Sequence, residues 1–176
     1  MHNSEQRRSS RSFYRGHTLS YAGESAPVGA TITDEPGSRP RPDQDDPLTA
    51  PFWRSAARGE LVIQQCGRCR RYHHPPIGLC WECLSTDLPF VTMNGRGSVY
   101  SFAVVKDQRL VAFDELTPYV VATVRLEDAP DVLLRTNLPG VPIEQVRAGM
   151  PVHVWFEEIA PGCFLPQFQP LGDEGL

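Results

Sequence analysis

The sequence predicts a mainly β protein made of a short N-terminal helix, a small metal-binding ribbon and a five-stranded OB-fold barrel. Three observations support this prediction. Two C-x-x-C pairs lie close together near the middle of the chain. Five segments rich in β-branched and aromatic residues follow them. A single short helical segment separates the third of these segments from the fourth, which is the element order of an OB-fold.

The first part of the chain, residues 1–46, is expected to be a disordered tail. It mixes Ser, Arg, Gly, Pro and Asp without a hydrophobic period, and the proline-rich stretch 36–43 suits neither a helix nor a central strand. A partner-binding arm is the alternative interpretation of this segment.

Residues 47–60 predict a short amphipathic helix. Thr49 can cap its N-terminus, Pro51 is tolerated in its first turn, and Gly59 can end it. The helix has large apolar side chains to bury, either against its own domain or against a partner. Its predicted apolar stripe consists of Phe52, Trp53, Ala56 and Ala57.

The metal-binding ribbon is predicted at residues 61–93. A four-thiolate site leaves no open coordination position, so the metal is expected to be a structural Zn²⁺ that folds a module too small for its own core. Iron in a rubredoxin-like site is the main alternative, because four thiolates also bind iron. Gly67 is expected to ease the turn of the first pair. The candidate ligands are Cys66, Cys69, Cys80 and Cys83.

The tip between the two cysteine pairs, residues 70–76, is rich in Arg, His and Pro. A solvated hairpin tip is the favoured interpretation, and a basic clasp for a phosphate or an acidic partner is the alternative.

Residues 94–170 predict the barrel, and residues 171–176 a C-terminal tail. The segment 140–149 predicts the single helix, with Pro142 at its first position and Gly149 at its end. A β-sandwich is the alternative architecture, but one helix after the third strand favours the barrel. The predicted strands are 98–105, 119–126, 131–137, 152–159 and 163–169.

Charge and composition narrow the classes of function. The net charge is −4 and Lys106 is the sole lysine, so we expect no nucleic-acid partner, since such binding depends on neutralising phosphates. No apolar run approaches the roughly 18 residues that span a bilayer, so we expect no membrane partner. The N-terminus carries no secretory-type apolar segment, and the cytoplasm is the expected location.

The sequence lacks the common catalytic motifs. It contains no G-x-S-x-G, H-E-x-x-H, Walker loop or G-x-G-x-x-G. Cys163 lies outside the two pairs, and His153 is the one histidine in the barrel half that could serve it as a base. A half-buried structural thiol is the favoured interpretation of Cys163. We therefore expect a chain that is not catalytic by itself.

Several short motifs occur together over about two-thirds of the chain, from about residue 51 to 170. They are Pro51-Phe52-Trp53, Gly59-Glu60-Leu61, the two C-x-x-C pairs, Pro75-Pro76, residues 95–102, Pro118 to Ala122, and Gly149 to Val152. As a set they resemble the zinc-ribbon/OB-fold family that associates with acyl-CoA enzymes, long filed as a domain of unknown function. The resemblance implies a rubredoxin-like zinc ribbon and an OB barrel.

The same resemblance implies a role beside a thiolase-fold partner that holds the catalytic residues, in a hetero-oligomer acting on acyl-CoA. Some members serve thiolase-like aldolases that cleave steroid side chains from CoA thioesters by a retro-aldol step. Others serve true thiolases in acyl-CoA degradation. A nucleic-acid-binding zinc-ribbon/OB-fold module is the alternative from another class, because both modules bind nucleic acid elsewhere.

Contacts with the partner or with acyl-CoA are expected at two places. One is the helix, through Phe52 and Trp53. The other is the loop that joins the first two barrel strands, where OB-folds often bind ligands, through Lys106, Arg109 and Phe113. Solvated positions for Lys106 and Arg109 are the equal alternative.

Overall fold

Two antiparallel β-sheets dominate the computed structural model, which describes residues 39–106, 113 and 116–172. These residues all lie in one structural unit, Asp34–Leu176. The smaller sheet has the strand order β2-β1-β3 and the larger one β6-β5-β4-β7-β8. The strands are β1 Val62–Gln65, β2 Tyr72–His73, β3 Phe90–Thr92, β4 Arg96–Val105, β5 Tyr119–Leu126, β6 Leu133–Asn137, β7 Pro151–Ala160 and β8 Cys163–Pro170.

The predicted N-terminal helix is present as α1, Ala50–Ala56. Pro51 lies in its first turn, and Gly59, with φ +75°, follows its end as expected. Thr49 occupies the N-cap position as predicted, but its hydroxyl donates to the Asp46 carboxylate at 3.0 Å and makes no side-chain capping bond to the helix. Ala57 is exposed because the helix ends before it, whereas Phe52 is buried.

The smaller sheet forms the frame of the ribbon. β1 is its central strand, and all four of its residues are buried. β2 pairs with β1 through Gln64 and His73, and β3 pairs with it through Ile63 and Val91. The prediction that residues 70–76 form a solvated tip is therefore wrong in part. Pairing with β1 draws the chain inward, so His73 is only 1% exposed.

The larger sheet is the predicted five-strand barrel and not a sandwich. β4 pairs with β5 along its length and with β7 near its start, and a bulge between Val99 and Ser101 lets it serve both neighbours. Gly97 pairs with both β5 and β7, and a Cβ atom there would come within 2.5 Å of the Arg125 carbonyl oxygen of β5. Its hydrogen side chain allows the two backbones to meet.

The predicted helix at 140–149 is wrong in length and type. The structure has a single 3-10 turn at Ile143–Gln145. Pro142 has ψ 129°, and Val146 returns to extended backbone, so no α-helical turn can begin or continue there. Val146 is buried, and it covers one end of the barrel core.

One hydrophobic core runs through the ribbon and the barrel without interruption. Ile63 of β1 and Phe52 of α1 belong to the same buried cluster as the barrel residues Val124 and Phe168. The ribbon is therefore fixed to the barrel by apolar packing and does not hang from it by a linker.

Candidate functional site

The four predicted ligand cysteines converge at the outer end of the ribbon. Their sulfur atoms all lie within 4.8 Å of one another. The Cys66 and Cys83 sulfurs are 3.5 Å apart, and those of Cys69 and Cys80 are 3.6 Å apart. A tetrahedron of thiolates around Zn²⁺ has sulfur–sulfur edges of about 3.8 Å, so this donor set fits a zinc ion with little adjustment.

The two C-x-x-C pairs adopt the same turn, which we call the first and second knuckle. The residue after each pair has a left-handed backbone, with φ 66° at Arg70 and φ 58° at Leu84. Each donates its backbone N–H to the carbonyl of the pair's first cysteine at 2.9 Å. This conformation folds the chain back and aims both sulfurs of a pair at one point.

Gly67 has a different role from the one expected. Its φ is not in the left-handed region, so the turn does not require a glycine. A side chain there would instead overlap the carboxylate of Asp87. The glycine leaves room for the Asp87 side chain where the segment leading into β3 passes the first knuckle, and the Gly67 N–H donates to the Asp87 carbonyl at 3.0 Å.

The pKa values of Cys66 and Cys83 shift in opposite directions within the cluster of four sulfurs. The backbone N–H of Cys69 lowers the pKa of Cys66 to about 6. The Ser85 backbone N–H lowers the pKa of Cys83, but burial and the three neighbouring sulfurs outweigh it and raise that pKa to about 12. Four thiolates so close together repel one another, and a divalent cation at their centre removes that repulsion.

A second feature is a cavity of about 490 Å³ between α1, the ribbon and the barrel. This volume is within the range of small-molecule sites, which is roughly 300–1,000 Å³. Its walls are Phe52 and Trp53 of α1, the ribbon segment His74–Pro76, Phe113, Tyr119 and Val121 of β5, Leu134–Asn137 of β6, Leu165–Gln167 of β8, and Arg39, Pro40 and Thr49. This position includes the face of the second and third barrel strands, where OB-folds bind ligands.

Aromatic rings form much of the cavity wall. The Phe52 ring meets Trp53 edge-on at 4.8 Å and His74 at 5.3 Å between centroids. Phe113 also stacks with Tyr119, with 6.1 Å between ring centroids. Burial lowers the pKa of His74 to about 4, so its imidazole is neutral at physiological pH and adds no charge to this wall.

A polar network lines part of the cavity and joins β6 to β8, the two edge strands of the larger sheet. The Gln167 side-chain oxygen accepts from the Thr136 hydroxyl and from the Asn137 backbone N–H, both at 2.9 Å. Its amide nitrogen donates to Glu157 at 3.0 Å. Gln167 is only 4% exposed, so these bonds close the barrel where no strand pairing does so among the described residues.

Arg39 completes this network from a segment that the sequence assigned to the tail. Its guanidinium binds the Glu157 carboxylate with both terminal nitrogens, at 2.6 and 3.1 Å. The hydrogen bonds from Arg39 lower the pKa of Glu157, against the opposing effect of burial. Arg39 thus contacts the barrel directly.

Three of the five predicted contact residues meet at the cavity. Phe52, Trp53 and Phe113 all line it, although they come from the helix and from the loop. Lys106 is exposed and is not among the lining residues. Arg109 lies outside the described residues.

Sequence reasoning missed the other charged and polar members of the cavity. Arg135 projects from β6 at its edge, and no ion pair to it is seen within the described part of the chain. The sequence predicts a tip at His74 and a strand at Gln167, and neither pattern indicates a cavity. An uncharged glutamine within an apolar strand was the one available signal for the network.

None of the helices in the described ranges is long and apolar enough to cross a membrane.

The fold and the four-cysteine site together define a zinc-ribbon/OB-fold protein. Residues 53–89 match the family described as ChsH2, rubredoxin-like zinc ribbon domain, and residues 90–157 match ChsH2, C-terminal OB-fold domain. A solved structure titled Ltp2-ChsH2(DUF35) aldolase contains a chain that is 37% identical, with a TM-score of 0.65, covering 75% of this chain and 98% of that one. The chain belongs to this ChsH2/DUF35 family.

Two curated relatives are longer proteins. A probable enoyl-CoA hydratase alpha subunit of Thermomonospora curvata is 38% identical over 135 residues, which are 75% of this chain and 40% of that protein. The 3-oxo-4,17-pregnadiene-20-carboxyl-CoA hydratase alpha subunit of Mycobacterium tuberculosis is 31% identical over 137 residues, 77% of this chain and 41% of that protein. This chain therefore spans about 40% of the length of both relatives.

Proposed function

We propose that this protein is a non-catalytic accessory subunit of a thiolase-fold enzyme that acts on CoA thioesters. The most specific form of the proposal is a retro-aldol carbon–carbon lyase of steroid side-chain catabolism. The observation that carries it is the 37% identity to a chain of the Ltp2-ChsH2(DUF35) aldolase, over 98% of that chain. The M. tuberculosis relative, named for a steroid-type acyl-CoA, supports the substrate class.

The composition of the cavity supports an accessory role. None of its described lining residues is Asp, Glu, Cys, Lys or Ser, and its one histidine, His74, is held neutral by burial. Such a wall can hold an apolar ligand but offers little acid–base chemistry at neutral pH. In the proposal the partner supplies the residues that break the bond.

Acyl-CoA is the proposed ligand of the complex, with part of it in this cavity. The rings of Phe52, Trp53 and Phe113 suit the pantetheine arm or an apolar acyl group, and the guanidinium of Arg135 at the edge suits a phosphate. In the same proposal Cys66, Cys69, Cys80 and Cys83 hold one structural Zn²⁺.

The test is to purify the full chain with the thiolase-fold protein that co-elutes with it and to assay the complex. The substrate is a steroid whose side chain is a β-hydroxyacyl-CoA thioester. In a retro-aldol step the bond between its α and β carbons breaks, the hydroxyl gives up its proton to become a ketone, and the α carbon takes up a proton as the shortened acyl-CoA leaves. We expect this cleavage without added CoA.

Activity that needs a 3-oxoacyl-CoA and free CoA would instead identify a true thiolase as the partner. Failure to recover any thiolase-fold protein with the wild-type chain would refute the accessory-subunit proposal. Binding of single-stranded DNA that weakens steeply with salt would support the nucleic-acid alternative in its place.

A further inference from the structure

The second knuckle presents three large apolar side chains to solvent. Leu79 is 48% exposed, Trp81 61% and Leu84 71%. They lie within six consecutive residues, on either side of Cys80 and Cys83. We call these three side chains the knuckle patch. Single exposed apolar residues are ordinary, but a cluster of this kind on a small module is typical of an interaction surface.

The backbone of Leu84 is unfavourable for leucine. Its φ of 58° lies in the left-handed region, where Gly or Asn is accommodated at lower cost. The turn itself therefore gives no reason for a leucine, and the side chain is too exposed to gain from burial within this chain. An exposed apolar residue kept at a strained position points to a contact outside the chain.

Arginines of the first knuckle border the knuckle patch. Arg68 donates to the Cys83 carbonyl at 3.4 Å, and Arg71 pairs with Glu82 at 3.2 Å, so both side chains reach across to the second knuckle. Arg70 is exposed and makes no ion pair among the described residues. An apolar centre with guanidinium groups at its edge has the composition of a protein-binding hot spot.

The Trp81 ring packs against a residue of its own chain. Its ring meets the buried His73 ring edge-on, with 4.5 Å between centroids and an interplanar angle of 88°. A large side chain that already packs against a buried ring loses less freedom on binding, which favours its use as an anchor.

We propose that the knuckle patch is the surface on which the thiolase-fold partner docks, through an apolar area of the partner bordered by Asp and Glu carboxylates. This rests on the proposed function and adds to it the place of contact. A second copy of this chain is a poor occupant, because each copy would bring three arginines to the contact and only Glu82, which is already paired with Arg71, to balance them. None of the three patch residues lines the cavity, so the knuckle patch and the cavity are separate surfaces.

The test measures the affinity of the full-length chain for the purified thiolase-fold partner by isothermal titration calorimetry. Leu79→Gln combined with Leu84→Asn removes the apolar groups and suits the left-handed backbone. We expect this double variant to bind at least about tenfold more weakly. Leu171→Asn is the matched control, since Leu171 is 36% exposed and far from the knuckles in sequence, and we expect it to bind like wild type. Zinc content and melting temperature verify the folding of each variant.

Charge reversal tests the acidic border of the partner. Arg70→Glu should lower the association rate at least about threefold at low salt, and the difference should shrink as salt screens the charges. Arg147→Glu, at another exposed arginine, is the control and should leave the rate unchanged.

The outcomes separate the two proposals. If the wild-type chain binds the partner and the folded double variant binds equally well, the docking surface is refuted while the accessory function stands. If the wild-type chain binds no thiolase-fold protein, both are refuted. A double variant that loses self-association but keeps its affinity for the partner would assign the knuckle patch to a homodimer and refute the proposal.

Discussion

Replacing Gln167 by Ala should weaken the barrel more than any other substitution of a polar residue on β8. The change removes three hydrogen bonds of 2.9, 2.9 and 3.0 Å that join this strand to β6 and to Glu157. The Thr136 hydroxyl keeps its bond to the Asn137 carbonyl, and Glu157 keeps Arg39, but the Asn137 N–H loses its partner.

The size of the effect follows from these contacts. The single Thr136 hydroxyl proton is shared with the Asn137 carbonyl, so two full hydrogen bonds of about 1 kcal/mol each are lost, and the orphaned Asn137 N–H costs about 1 kcal/mol more. We therefore expect a loss of about 3 kcal/mol in the free energy of unfolding. For a chain of this size that corresponds to a fall of about 10 °C in melting temperature.

Urea unfolding of the zinc-loaded chain, followed by circular dichroism, measures this loss. Gln169→Ala is the matched control, because Gln169 is on the same strand and is exposed, and among the described residues its side chain hydrogen-bonds to the His153 ring alone, at 2.8 Å. We expect its effect to stay within about 0.5 kcal/mol. Equal losses for the two variants would show that the network does not close the barrel.

Three further predictions concern zinc, pH and the cavity. Cys80→Ser, or treatment with a strong chelator, should reduce bound zinc to well below one ion per chain by elemental analysis and unfold the ribbon; an unchanged circular dichroism spectrum would contradict a structural role. The pKa of His74 is about 4 when folded and about 6.5 when unfolded, so the unfolded chain binds the extra proton between these values. Stability should fall by up to about 3 kcal/mol as pH drops from 6.5 to 4, and His74→Phe should show a smaller fall in urea titrations across that range. Trp53→Ala with Phe113→Ala should raise the acyl-CoA KM of the complex at least about tenfold with kcat little changed, and an unchanged KM would remove the cavity from substrate binding.

Short-range signals in the sequence sufficed for the metal site and for the barrel. The spacing of Cys66, Cys69, Cys80 and Cys83 restricts them to two tight turns, and four sulfurs meet where the turns meet. The alternation along β5 likewise predicted the buried Val120, Ala122 and Val124. In both cases the information lies within a few residues of the element it defines.

Features that depend on long-range pairing could not be predicted. β2 is two residues long, and its strand conformation depends on pairing with β1. Neither strand propensity nor hydrophobic period therefore predicts the burial of His73. Arg39 lies in a stretch with the composition of a tail, yet its partner Glu157 is 118 residues away. Nothing local indicates which distant carboxylate a surface arginine will meet.

The helix prediction for residues 140–149 is wrong for a different reason. Pro142, Glu144 and Gly149 are each typical of a helix end, but together they enclose too few residues for an α-helix to repay its nucleation cost. The chain makes one 3-10 turn instead, and the remaining residues form the connection to β7.

The cavity draws its walls from segments as far apart in the chain as Arg39 and Gln167. During synthesis the helix and ribbon emerge from the ribosome long before β8, so a nascent chain has its zinc ligands in place while the cavity still lacks a side. Metal uptake can therefore begin early, but ligand binding must wait until nearly the whole chain has been made. If the cavity holds acyl-CoA as proposed, its occupancy reports that β8 has been inserted, and only completed chains bind the ligand.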